Sequence, residues 1–174
     1  IEHPYLKPQA SGKKAVIVVT SNRGLAGGYN ASVIKLITGS DLKPDDLLLY
    51  TVGNKGKEYF QHREYTIAKD YSEVIENPMF SDAKEICEEV LGGYAAGEIS
   101  EIYLAYTYFK NTVVHEPKLL KLLPVEIEEA DIEAAKADSL MNYEPEETEA
   151  LEIIIPKYVT SILYGALVEA IASE

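Results

Sequence analysis

Residues 15–37 read AVIVVTSNRGLAGGYNASVIKLI, and this stretch decides the fold. AVIVVT (15–20) is a continuous apolar run rich in Val and Ile, which suits a strand covered on both faces, as in a parallel sheet. SNRGLAGGYN (21–30) is a glycine-rich loop. NASVIKLI (30–37) predicts a short helix with Asn30 as N-cap and Gly39 just past its end. Strand, glycine loop and helix in this order also hold phosphate in nucleotide-binding domains. The question is what these glycines serve.

Working outward, DLLLYTVG (46–53) predicts a second buried strand, about 30 residues after the first, the length of a strand–helix–strand unit. NKGKEYFQHR (54–63) predicts a short helix and REYTIAKDY (63–71) a weaker strand. SDAKEICEEVLGGYAAG (81–97) is the clearest helix, with Ser81 or Asp82 as cap and Ala83, Ile86, Cys87, Val90 and Leu91 as its apolar stripe. EIYLAYTYFK (101–110) and PKLLKLLPVEI (117–127) predict an antiparallel hairpin across a six-residue turn at one sheet edge. The end, 156–174, predicts a long helix with Pro156 in its first turn and a stripe of Tyr158, Ile162, Leu163, Ala166, Leu167, Ala170 and Ile171. Together these elements predict one α/β domain over residues 1–174: a mostly parallel sheet with flanking helices.

Twenty-nine acidic residues against sixteen basic ones give a net charge of −13. That balance argues against nucleic-acid binding and against insertion at anionic lipid, and it leaves room for a basic protein partner. The single cysteine, Cys87, excludes an intrachain disulfide and reads as a packed apolar residue. No uninterrupted apolar run approaches the roughly 18 residues that span a bilayer, and no signal segment is visible. The chain does not begin with Met and its last helical stripe is still running at residue 174, so the sequence reads as trimmed from something longer. Asn30-Ala31-Ser32 forms a glycosylation triplet read as coincidence.

The chemistry of known sites is missing from the pattern. From Gly24 the loop has no lysine and no Ser/Thr where a phosphate-binding loop needs them. Gly53-Asn54-Lys55-Gly56-Lys57 has the wrong spacing. The dinucleotide pattern G-x-G-x-x-G is absent, and Asp45 and Asp46 precede the second strand rather than ending it. His3, His62 and His115 are scattered, and no serine nucleophile elbow occurs. The acidic runs EIEEADIE and EPEETEALE read as solvated faces. These residues imply no cofactor and no metal, and they suggest a part of an assembly.

TSNRGLAGGYN (20–30) resembles the signature of the γ subunit of F-type ATP synthase, Thr-Ser-Asp-Arg-Gly-Leu-Cys-Gly-Gly, with Asn22 in place of the Asp and Ala26 in place of the Cys. VGNKGKEYF (52–60), YTYFKNTVVHEPKLLKLLPV (106–125) and NYEPEETEALEIIIPKYVTSILYGALVEAIASE (142–174) resemble further segments of that family, in order along the whole chain. The resemblance implies a Rossmann-like middle domain without a nucleotide site, with residues 156–174 as the start of a coiled-coil shaft. It implies a rotor stalk that carries torque between a membrane c-ring and the catalytic hexamer, with no catalysis on this chain. By the same resemblance, Asn22, Arg23, Gly24, Leu25, Gly27 and Gly28 face the catalytic β subunits, and Tyr143 and Glu144 face the c-ring. The ε subunit docks along the hairpin edge and 127–142, and the protein sits at the cytoplasmic face of the membrane. The coupling ion is not readable. Three alternatives stay open: Arg23 bracing its own loop, residues 143–145 as a plain turn before the helix, and the whole chain as a stand-alone nucleotide-binding enzyme domain.

Overall fold

Parallel strands with both faces covered come out where the apolar runs put them. The computed structural model describes residues 3–7, 9, 11–24, 28–111, 113–125 and 147–172. Its elements are β1 (Lys13–Val19), α1 (Tyr29–Thr38), β2 (Leu47–Val52), α2 (Asn54–Gln61), β3 (Ile67–Asp70), α3 (Phe80–Ala95), β4 (Ile99–Phe109), β5 (His115–Leu123) and α4 (Glu147–Ala172). The five strands form one sheet in the order β3-β2-β1-β4-β5. All pairs are parallel except β4 with β5. The architecture is the one expected: a mostly parallel sheet, flanking helices, an antiparallel edge and a long final helix.

β1 lies in the middle, and Ala15, Val16, Ile17 and Val18 are all 0% exposed. Its side chains alternate between two layers. Ala15, Ile17 and Val19 pack with α3 and α4, through Ala83, Ile86 and Val90 and through Leu151, Ile155, Val159 and Leu163. Val16 and Val18 pack on the other face with Val33, Ile34 and Ile37 of α1 and Phe60 of α2. The two layers bring the C-terminal ends of β1, β2 and β3 to one rim, where the glycine loop begins.

Several local expectations need correction. Asn30 does not cap α1: Gly28, at φ 72°, holds that position, and the Asn30 amide is turned toward Ser21. Gly39 does end the helix, its N–H donating to the Lys35 carbonyl at 2.8 Å. Neither Ser81 nor Asp82 is the N-cap of α3. Met79 is, and its N–H donates to the Asp82 carboxylate at 2.9 Å. β5 starts at His115, two residues earlier than expected, so five residues rather than six join the hairpin.

The final helix is already formed by Glu147, which places Pro156 inside it and not in its first turn. Proline there removes the bond an N–H would have given to the Glu152 carbonyl. Tertiary packing overrides that cost: Leu151, Ile155, Val159, Leu163 and Leu167 are at most 1% exposed. Tyr158, expected on the buried stripe, is 45% exposed, because the true buried row runs through Val159. Residues 148–171 are also long and apolar enough, by length and composition, to cross a bilayer. The expectation from uninterrupted runs missed this because Glu149, Glu152, Lys157 and Glu169 break them. In this fold the apolar row of the helix packs on the sheet and α3.

Candidate functional site

The rim above β1 and β2 is where a doubly wound fold binds a phosphate, on the free amides of a helix N-terminus. Of the two helices that start at this rim, α1 has no side-chain cap, while the chain's own groups occupy the first amides of α2. At α2, the Asn54 N–H donates to the Asn22 Oδ1 at 2.9 Å, the Lys55 N–H to the Ser21 carbonyl at 3.0 Å, and the Gly56 N–H to the Thr20 Oγ1 at 2.9 Å. The Thr20 hydroxyl donates onward to the Gly53 carbonyl at 3.2 Å. Thr20, Ser21 and Asn22 therefore act together as the cap of a helix more than thirty residues downstream.

Close approach makes this possible. Gly53 sits at φ 115°, and a Cβ there would lie 2.0 Å from the Thr20 carbonyl oxygen. Only glycine lets the two strand ends meet.

A second set of bonds ties in the end of β3. The Asp70 carboxylate accepts from the Thr51 and Ser72 hydroxyls, each at 2.6 Å. Ser72 Oγ accepts from the Gly53 N–H at 3.0 Å. The Asn22 Nδ2 donates to the Ser72 carbonyl at 3.2 Å and to Glu76 Oε1 at 2.8 Å. Lys57 approaches Asp70 at 3.8 Å. Thr51 and Ser72 are buried, so these polar groups need the partners they have.

On the other side of the loop, Asn30 accepts from the Ser21 N–H at 3.0 Å and donates to Ser21 Oγ at 2.8 Å. The Ser21 hydroxyl donates to the Arg23 carbonyl. The Arg23 side chain is exposed and forms no hydrogen bond or ion pair among the described residues. The bracing expected as an alternative for Arg23 is thus carried by its backbone carbonyl and by Asn22. Gly24 is exposed and Gly28 caps α1. Leu25 and Gly27, and likewise Tyr143 and Glu144, lie outside the described residues.

The sheet's switch point falls between β1 and β4. The cavity there, lined by Thr20, Ser21, Tyr29, Asn30, Phe109 and Ala170, measures about 20 Å³, room for about one water. Beside it, Tyr29, Ser32, Thr107, Val114 and His115 line a wider hollow of about 410 Å³. Tyr29 fills the crevice, its ring 5.9 Å from Phe109 and 4.6 Å from His115. Among the described residues no group of three or more His, Cys, Asp or Glu side chains is placed to hold a metal. Cys87 is buried, and burial, reinforced by the Glu88 charge against a lowering bond from Thr160, pushes its thiol up to about 11. It is a packed side chain, as its sequence context implied.

Asn22, half-buried, and Arg23, exposed, lie in the loop after β1 that the sequence predicts. Sequence reasoning missed Thr20, Asn54, Asp70, Ser72 and Glu76 as its supports. The available signal was the polar run Thr20-Ser21-Asn22 directly after five buried apolar residues, a place where unpaired groups need partners.

A family model described as ATP synthase matches residues 1–174, the full chain. The chain belongs to the ATP synthase γ family. It is 57% identical over 180 residues to the ATP synthase gamma chain of Lachnoclostridium phytofermentans, a match that covers 100% of this chain and 62% of that relative. It is 38% identical to the sodium ion specific ATP synthase gamma chain of Acetobacterium woodii, covering 93% of this chain and 59% of the relative. The chain thus spans about 60% of the length of these γ relatives. Among solved structures, a chain of the Tetrahymena thermophila mitochondrial ATP synthase central stalk and c-ring matches with a TM-score of 0.64 at 24% identity, covering 98% of this chain and 77% of that one. A chain of the Euglena gracilis mitochondrial ATP synthase rotor gives 0.60 at 15% identity. These two likenesses show a shared fold.

Proposed function

We propose that this chain is the globular part of a rotor stalk in an F-type ATP synthase, passing torque between a membrane c-ring and a catalytic hexamer while carrying no active site of its own. The observation that supports this best is the closed start of α2, whose first amides hold Thr20, Ser21 and Asn22. A rim closed by its own side chains suits a stiff docking surface, not a ligand site. Arg23 then offers its guanidinium to an acidic loop of the β subunits, for which a planar, two-pronged donor fits a carboxylate well. Asn22, Gly24, Leu25, Gly27 and Gly28 belong to the same contact. Tyr143 and Glu144 meet the c-ring, and the ε subunit docks along the hairpin edge. The protein is peripheral, held at the membrane through its complex.

α4 is the start of the shaft in this reading. Its Ile153, Tyr158 and Val168 are 43–52% exposed and leave an apolar strip beside the core row, where a second shaft helix would pack.

Calorimetric titration with the ε subunit from the same source, with ATP left out, tests the proposal. Saturable one-to-one binding supports it. A folded chain that fails to bind ε, and instead melts at higher temperature with added nucleotide, would establish the nucleotide-binding alternative.

A further inference from the structure

Resting on the reading that loop 21–28 docks a partner, we propose that Asn22 and Glu76 form a clamp that aims Arg23, making both of them positioning residues for that contact. The Asn22 side chain uses every polar group it has. Its oxygen accepts from the Asn54 N–H at 2.9 Å, and its nitrogen donates to the Ser72 carbonyl at 3.2 Å and to Glu76 Oε1 at 2.8 Å. The amide has one orientation that works, because two acceptors face one end and a donor faces the other.

The partners are themselves fixed. Asn54 opens α2, and Ser72 is held by Asp70 at 2.6 Å and by the Gly53 N–H at 3.0 Å. Arg23 follows Asn22 directly, and its carbonyl is held by the Ser21 hydroxyl, which Asn30 anchors from α1. Residues 21–23 are therefore fastened to the starts of α1 and α2 and to Ser72 and Glu76 beyond β3, while the guanidinium stays exposed. A charged group set on a rigid base meets its partner with less ordering cost than one on a mobile loop.

This clamp makes position 22 depend on position 76. An aspartate at 22 would keep the bond from Asn54 but turn its second oxygen on the Ser72 carbonyl and the Glu76 carboxylate. Two acceptors and two like charges would then meet within hydrogen-bond distance. A glutamine at 76 can donate to that aspartate and restores the contact across 54 residues of sequence.

The test uses the full-length γ chain reconstituted into the ATP synthase complex. Arg23→Ala, Asn22→Asp, Glu76→Gln and the doubles N22D/E76Q and N22D/R23A are compared for coupled ATP hydrolysis and melting temperature. R23A and N22D are each expected to lower coupled activity about tenfold, the scale of one hydrogen bond to a charged group. N22D/E76Q recovers most of that loss, and N22D adds nothing to R23A. Should N22D resist rescue, or add its full loss on top of R23A, Asn22 acts through the general fold and the clamp is refuted. Amide hydrogen exchange on the full-length chain reads the clamp without any partner: protection of the Asn54 amide falls in N22D and returns in N22D/E76Q. If exchange behaves so while R23A keeps full activity, the aiming of Arg23 and the docking reading both fall, and only the local bonds remain.

Discussion

Gly53→Ala should be the most damaging single-methyl change in the rim. An added Cβ would sit 2.0 Å from the Thr20 carbonyl oxygen and 2.6 Å from Thr20 Oγ1. The first contact is backbone, so no rotamer change relieves it and one strand end must move by about an ångström. Three bonds cross this point: Thr20 Oγ1 to the Gly53 carbonyl, the Gly53 N–H to Ser72 Oγ, and the Gly56 N–H to Thr20 Oγ1. Losing two of them costs about 2 kcal/mol, and holding alanine at φ 115° adds about 2 kcal/mol more. A total near 4 kcal/mol is a large part of the stability of an ordinary domain. With a urea m-value of about 2 kcal/mol/M, the unfolding midpoint falls by about 2 M. Gly92→Ala in α3 is the internal control. Nothing lies within 4 Å of its added Cβ, and replacing a helical glycine should raise stability by roughly 0.5–1 kcal/mol. A G53A midpoint within about 0.3 M of the parent, or losses of equal size in the two variants, would refute the claim that close strand contact requires this glycine.

Glu101 lies between Lys121 at 2.9 Å and Lys14 at 3.3 Å, bridging β1, β4 and β5. Burial raises its carboxyl, but the hydrogen bonds and charges of the two lysines outweigh that and hold it below its ordinary 4.5. A depressed folded value means the contribution is present above about pH 4.5 and is lost as pH falls below it; Glu101→Gln should flatten the acid limb of a stability–pH curve, and an unchanged limb would show the triad contributes nothing. With its thiol near 11, Cys87 should resist iodoacetamide at pH 8 in the folded chain and react within the unfolding transition in urea, whereas prompt native labelling would contradict its burial. Leu163→Ala should cost about 2–5 kcal/mol because the residue is 0% exposed, while Ile153→Ala, on the exposed strip of the same helix, should stay within about 0.5 kcal/mol in the isolated chain; urea midpoints separate the two.

What the sequence made legible was whatever its local pattern encodes. A run such as residues 15–19 admits little except a strand buried on both sides, and the missing lysine after Gly24 removed the phosphate loop without any structure. The helix caps were misread for one shared reason: a cap is a choice among nearby polar groups, and long-range bonds make that choice. Asn30 looks like an N-cap until Ser21, from the end of β1, takes its amide. Pro156 looks like a first turn until the buried row from Leu151 to Leu167 outweighs the one lost hydrogen bond. Asn22 is the sharpest case. Beside the resembled signature it reads only as an asparagine in place of aspartate. Opposite Glu76 it becomes the side chain that supplies two donors and one acceptor where an aspartate would face a carboxylate. The glycine loop therefore belongs to a rim that differs from a nucleotide site less in its glycines than in which groups reach the helix amides first. At α2 of this chain Thr20, Ser21 and Asn22 do, and in the function proposed above the exposed Arg23 beside them meets a partner.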